Sequence, residues 1–166
     1  SYETALISEE EIKQIISCAQ MAPSWKNSQT SRYYVVTSKD LIEQLRSSAL
    51  PAGNQGKTMG VGAYIVTTYK KNIAGFNTKT GESDNEVGNG WGAYDLGLHD
   101  MLLIAKAAEL NVDTLIMGLR DEAALRSLCN IPGDECIMSV IAAGYRDGDV
   151  MQKPERKPVS DISKFL

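Results

Sequence analysis

The stretch WGAYDLGLHDMLLIAKAAELN, Trp91 to Asn111, restricts the fold more than any other part of the chain. It has helix-forming composition and apolar residues on nearly every side, which marks a helix buried in a core or an interface. Asp95, His99, Asp100, Lys106 and Glu109 rule it out as a membrane span. No other apolar run approaches the roughly 18 residues a span needs, and no charged-then-apolar leader opens the chain.

The elements around this helix can be read in turn. Ser8 and Glu11 form an S-x-x-E capping box, and Ile12, Ile15, Ile16 and Ala19 recur at helical spacing. That helix should stop near Met21, because Pro23 pushes Ala22 out of the α region. RYYVVT, Arg32 to Thr37, reads as a strand, and SKDLIEQLRSSAL as a second helix behind a Ser38 cap, with Leu41, Ile42 and Leu45 on one face. PAGNQGKTMGVG, Pro51 to Gly62, reads as turn chemistry, too rich in Gly to form an element. AYIVTTY (Ala63 to Tyr69), DTLIMG (Asp113 to Gly118) and CIMSVIAAGY (Cys136 to Tyr145) read as further strands, with a helix over RDEAALRSLCN between the last two. Lys70 to Gly90 is a long Asn- and Gly-rich loop, expected to act as a lid or to contact a partner. The proline-bearing tail should wrap around something. Helices alternating with strands argue α/β or α+β with a central sheet covered by helices, in one domain over residues 1–166.

Composition narrows the function. Seventeen basic and twenty-one acidic residues give a net charge of -4, so nothing draws the chain to nucleic acid or an anionic membrane. The cysteines, Cys18, Cys129 and Cys136, are odd in number and widely spaced. They form no zinc-like cluster and fit a reduced, cytoplasmic compartment.

No P-loop, G-x-S-x-G or dinucleotide fingerprint occurs; GVGAYI at Gly60 lacks the third Gly. His99 is the only histidine, and its place in an apolar helix suits a hydrogen-bonded core role. What remains is polar chemistry in loops. Ser24, Asn27 and Gln29, in the polar knot of APSWKNSQTSRYYVV, can donate and accept toward one flat polar ligand. Asn54 and Lys57 offer an amide and a cation, and Lys153, Arg156 and Lys157 form a small basic group suited to phosphate.

Taken together, these motifs resemble the FMN-dependent nitroreductase family over nearly the whole sequence. The carriers are APSWKNSQ at Ala22 to Gln29, the N-x-x-K of NQGK at Asn54 to Lys57, YDLGLHDMLLIAKAAELNVDTLIMGL with its Gly turn, and the basic tail QKPERKPVSDI. The resemblance implies an α+β fold with a central, mostly antiparallel sheet flanked by helices and an extended C-terminal arm. It implies a homodimer with FMN at the interface and NAD(P)H as electron donor. Pro23, Ser24, Trp25 and Asn27 would serve the flavin held mainly by the other subunit, and Asn54 and Lys57 would face its pyrimidine end. Arg156, with Lys153 or Lys157, would meet the phosphate together with Ser1. Met117, Gly118 and Leu119 would lie beside the reacting flavin nitrogen. The implied reaction is ping-pong hydride transfer to nitroaromatics, quinones or similar flat acceptors, with no side-chain nucleophile and no metal. Reductive dehalogenation, enoate reduction, flavin fragmentation and a non-catalytic flavin-binding module are alternatives within the same resemblance. The chain departs from the family pattern at Glu3, where a cation is frequent, and at Thr30 and Ser31, which replace a frequent Pro-Trp pair.

Overall fold

The computed structural model describes residues 2–148 and 154–166. Its centre is a four-stranded antiparallel sheet in the order β1-β2-β4-β3, built from β1 (Ser31–Val36), β2 (Ala63–Lys70), β3 (Asp113–Met117) and β4 (Glu135–Gly144). The helices are α1 (Glu9–Ala19), α2 (Lys39–Ala49), α3 (Ala52–Lys57), α4 (Gly90–Glu109), α5 (Glu122–Cys129) and a short α6 (Val159–Ile162) in the tail. The fold is α+β, as the resemblance implies.

Strand alternation sorts the core into two layers. Ala63 and Ile65 of β2, with Ile141 and Ala143 of β4, pack against Ile12, Ile15 and Ala19 of α1 and Leu103 and Ala107 of α4. Tyr64 and Val66, with Val140 and Ala142, face the opposite way onto Ile42 and Leu45 of α2 and Leu125 of α5. The central strands are buried on both faces, which is why their sequences read as nearly continuous apolar runs.

Local signals hold where side chains close them. The Ser8 and Glu11 box forms reciprocally, and α1 ends at Ala19, slightly before the Met21 expected from Pro23. Ser38 and Asp121 cap α2 and α5 through their side chains.

One expectation is corrected. Pro51 to Gly62 is not wholly turn, because Ala52–Lys57 forms α3. Gly53 and Gly56 each disfavour a helix by about 1 kcal/mol, yet side-chain hydrogen bonds at its two ends offset this. Gln55 Nε2 donates to the Leu50 carbonyl (2.7 Å), and the Thr58 hydroxyl donates to the Asn54 carbonyl (2.8 Å). Tyr64 on β2 in turn donates its hydroxyl to Thr58 (2.6 Å), which ties the end of α3 to the sheet.

Candidate functional site

The polar knot folds into a strained strap. After Pro23, residues Trp25–Asn27 form one 3₁₀ turn, with the Ser24 hydroxyl accepting from the Gln29 N–H at 3.0 Å. Lys26, Asn27 and Gln29 all have positive φ, at 47°, 55° and 50°. Asn tolerates that region, whereas Lys and Gln each lose roughly 1–2 kcal/mol there, so neighbouring contacts must impose it.

Those contacts come largely from α4. Asp95 Oδ2 accepts from the Trp25 N–H at 2.8 Å, and the Trp25 ring lies on Trp91 with centroids 4.6 Å apart. Burial pushes the Asp95 carboxyl up, while the Trp25 N–H and His99 pull it back. His99 is buried, its Nδ1 2.7 Å from the Asp95 carbonyl, which is the core role its position suggested. Within the strap, Trp25 Nε1 and Ser28 Oγ are buried without a hydrogen-bond partner among the described residues. An N–H donor and a hydroxyl left unsatisfied within one short segment suit a ligand that brings its own polar atoms.

The other expected residues lie elsewhere. Asn54 is half-buried and Lys57 exposed on α3, and Lys57 has no ion-pair partner among the described residues. Met117 is buried at the end of β3, followed by Gly118 and by Leu119, which is 74% exposed. The Arg120 guanidinium closes this turn by donating to the carbonyls of Gly118 and Ile137. Among the described residues Arg156 donates to the Pro154 carbonyl alone, and Lys157 is exposed beside it. Ser1 and Lys153 fall outside the described residues.

The sheet separates these groups. The strap leads into β1, whose Ser31 pairs with Tyr69 near the end of β2, while α3 leads into β2 at Ala63. At about 3.3 Å per residue, those two ends of β2 stand roughly 20 Å apart. The N-terminal segment belongs to the α3 end, since the Tyr2 N–H donates to the Met59 carbonyl (3.1 Å) and Tyr2 bridges to Arg146. Arg146 is itself fixed by two bonds to Asp113, at 2.8 and 2.6 Å. The structure therefore joins the strap to α4, and the N-terminus to α3, but it does not bring the strap and α3 together within one chain.

Sequence reading passed over three participants. Asp95 had a visible signal, a carboxylate within the apolar first half of the helix. Trp91 and the Lys26–Asp84 ion pair had none, because partners 58 or more residues apart are set by tertiary packing.

A second polar cluster lies deeper, under α4. The Thr67 and Ser139 hydroxyls are 2.9 Å apart on adjacent strands, with Asp100 above them. Burial pushes Asp100 up to about 6, with the Thr67 hydroxyl opposing, and its Oδ1 has no partner among the described residues.

Comparison with known proteins agrees with this fold. The profile described as the nitroreductase family matches residues 1–145. A nitroreductase family protein from Streptococcus pneumoniae superposes with a TM-score of 0.82 at 18% identity, covering 99% of this chain and 93% of that one. A nitroreductase-type protein from Exiguobacterium sibiricum, solved in complex with FMN, gives 0.83 at 22% identity, covering 100% and 91%. An NADH dehydrogenase/NAD(P)H nitroreductase from Parabacteroides distasonis gives 0.72 at 17% identity, covering 95% and 86%. A search of curated proteins found no match.

Proposed function

Since the chain belongs to the nitroreductase family, we propose that it is an FMN-dependent oxidoreductase acting as a homodimer. It takes electrons from NAD(P)H and passes them to nitroaromatics, quinones or similar flat acceptors. The observation that carries this reading is the separation of the strap from α3. In this reading the ligand is shared between two chains, the strap coming from one and Asn54 and Lys57 from the other.

The residues fit a phosphorylated, ring-bearing group. The unpartnered Trp25 Nε1 and Ser28 Oγ offer polar contacts at a ring edge, and among the described residues Lys57, Arg156 and Lys157 form no ion pair with a carboxylate. α4 supplies the means of pairing. One face is buried at Asp95, Leu96, His99, Leu103 and Ala107, yet its exposed stripe runs through Tyr94, Gly97, Met101, Ala105 and Ala108, uncharged until Glu109 at the helix end. The tail adds exposed Val159, Ile162 and Phe165, apolar surface that a second copy would cover.

Bound FMN would supply the hydride-transfer chemistry that no side chain here provides. The chain's own part is to hold the ring edge at the strap, to place the Lys57 cation where negative charge develops on reduction, and to bind the phosphate through the tail. Donor and acceptor would use the same face in turn, giving ping-pong kinetics.

The spectrum of the purified protein tests the reading. A yellow dimer that bleaches anaerobically with NADH or NADPH is the expected result. A protein that stays colourless after incubation with FMN would sink it.

Two substitutions probe the assigned ends. Arg156→Ala should weaken FMN binding by roughly ten- to a hundredfold, the worth of a charge-assisted contact of about 1.5–3 kcal/mol, as read by flavin fluorescence on titration. Unchanged affinity would remove the tail from the phosphate site. Lys57→Ala should lower the flavin midpoint potential by roughly 30 mV, equivalent to about 1.4 kcal/mol. A potential equal to that of the parent would refute an electronic role for Lys57.

A further inference from the structure

The loop between β2 and α4 is internally ordered. Asn72 and Asn89 close its base reciprocally, the Asn72 N–H donating to Asn89 Oδ1 at 2.7 Å and Asn89 Nδ2 donating to Asn72 Oδ1 at 2.8 Å. Phe76 bridges to Ser83, and the Asn77 side chain accepts from the Lys79 and Thr80 N–H groups. Gly75, at φ +81°, lies so near Trp91 that an added Cβ would stand 2.6 Å from its ring. The Trp91 indole N–H donates to Asn85 Oδ1 at 3.0 Å. The loop is thus a preformed unit seated on Trp91.

Two contacts link this unit to the strap. Lys26 Nζ lies 2.8 Å from Asp84 Oδ2, and the Trp25 ring packs against Trp91 with centroids 4.6 Å apart and planes inclined by 46°. The Asp84 side chain is only 22% exposed, whereas that of Lys26 is 67% exposed, so the loop keeps its carboxylate in a sheltered position and the strap reaches out to it. Lys26 also holds positive φ, a conformation that strains its backbone while presenting its side chain toward Asp84. Charge, an aromatic contact and backbone strain converge on one joint between two segments far apart in sequence.

We propose that Lys26 and Asp84, with the tilted Trp25–Trp91 contact, form a latch that sets how far the 70–90 loop stands from the strap and so selects acceptors by size, admitting single-ring over fused-ring compounds. This rests on the reading of the strap as a wall of the flavin site. Lys26 and Asp84 are positioning residues; neither is assigned a contact with the reacting atoms. Opening the joint widens the space beside that wall, and the gain falls on bulky acceptors alone.

The test uses the flavin-loaded dimer carrying Asp84→Asn, Lys26→Met, or the charge swap Lys26→Asp with Asp84→Lys. Three readouts are taken: the paired-indole signal in circular dichroism, which isolates the only two tryptophans, tryptic cleavage at exposed Lys79, and kcat/KM for benzoquinone against a fused-ring naphthoquinone. Each single variant should weaken the indole signal and speed cleavage. Each should raise the naphthoquinone-to-benzoquinone ratio about fivefold, the size expected from losing one ion pair. The swap should restore all three. Unchanged indole signal and cleavage would overturn the latch itself. A weakened latch with an unchanged acceptor ratio would overturn size selection. Should the protein bind no FMN, the flavin reading and size selection fall together, while the indole signal and cleavage still report on the latch.

Discussion

Asp100→Asn is expected to raise the stability of the protein at pH 7 by about 2–3 kcal/mol, or roughly 5–10 °C in Tm. Asp100 is 9% exposed, with one carboxylate oxygen unpartnered among the described residues, and burial raises it from 3.8 to about 6. A carboxyl raised on folding binds its proton more tightly in the folded state than in the unfolded chain. Its contribution is therefore most favourable below about pH 4 and is lost as pH rises through about 6, the reverse of an ion-paired aspartate. Asn keeps the volume and an acceptor for the Thr67 hydroxyl but cannot ionise. Thermal melts from pH 4 to 8 check this: the variant's advantage should vanish near pH 4 and reach its full size above about pH 7. An advantage that does not change with pH would refute burial of the charge as the cause.

Gly60→Ala should act in the opposite direction, costing about 2–4 kcal/mol. Gly60 has φ +78°, and an added Cβ would stand 2.4 Å from the Tyr2 carbonyl oxygen. That oxygen is backbone and cannot swing aside as a flexible side chain could. The N-terminal segment would have to lift from the Met59 carbonyl that accepts its Tyr2 N–H. Because α3 ends three residues before Gly60, the proposed Asn54 and Lys57 contacts should loosen with it. Urea unfolding reports the stability loss and flavin titration the loss of affinity. Parent-like values in both would show that the N-terminal segment repacks freely and does not support the site.

Much of this architecture is legible from residue patterns. Ser8 with Glu11, and Ser38, mark helix starts because a cap is closed within three residues of its partner. The strands were found because β-branched and aromatic runs between turn residues need no distant information to be recognised. The resemblance carried the fold and nominated the strap, α3 and the Gly118 turn as site segments. α3 itself was missed, since two glycines outweigh local helix preference until Gln55 and Thr58 find partners on Leu50 and Tyr64. The Lys26–Asp84 joint was illegible for a related reason: neither residue has a local pattern that implies the other.

The sequence by itself determined which segments form helices and strands, which faces they bury, and the family to which the chain belongs, because those properties follow from short-range periodicity, capping and motif order. Tertiary structure alone decided that Asp100 is buried with an unpartnered oxygen, that Trp91 and Asp95 hold the strap, and that the strap and α3 stand at opposite ends of the sheet. Each of these depends on distances between residues remote in the chain, and such distances exist only once the sheet and α4 have packed.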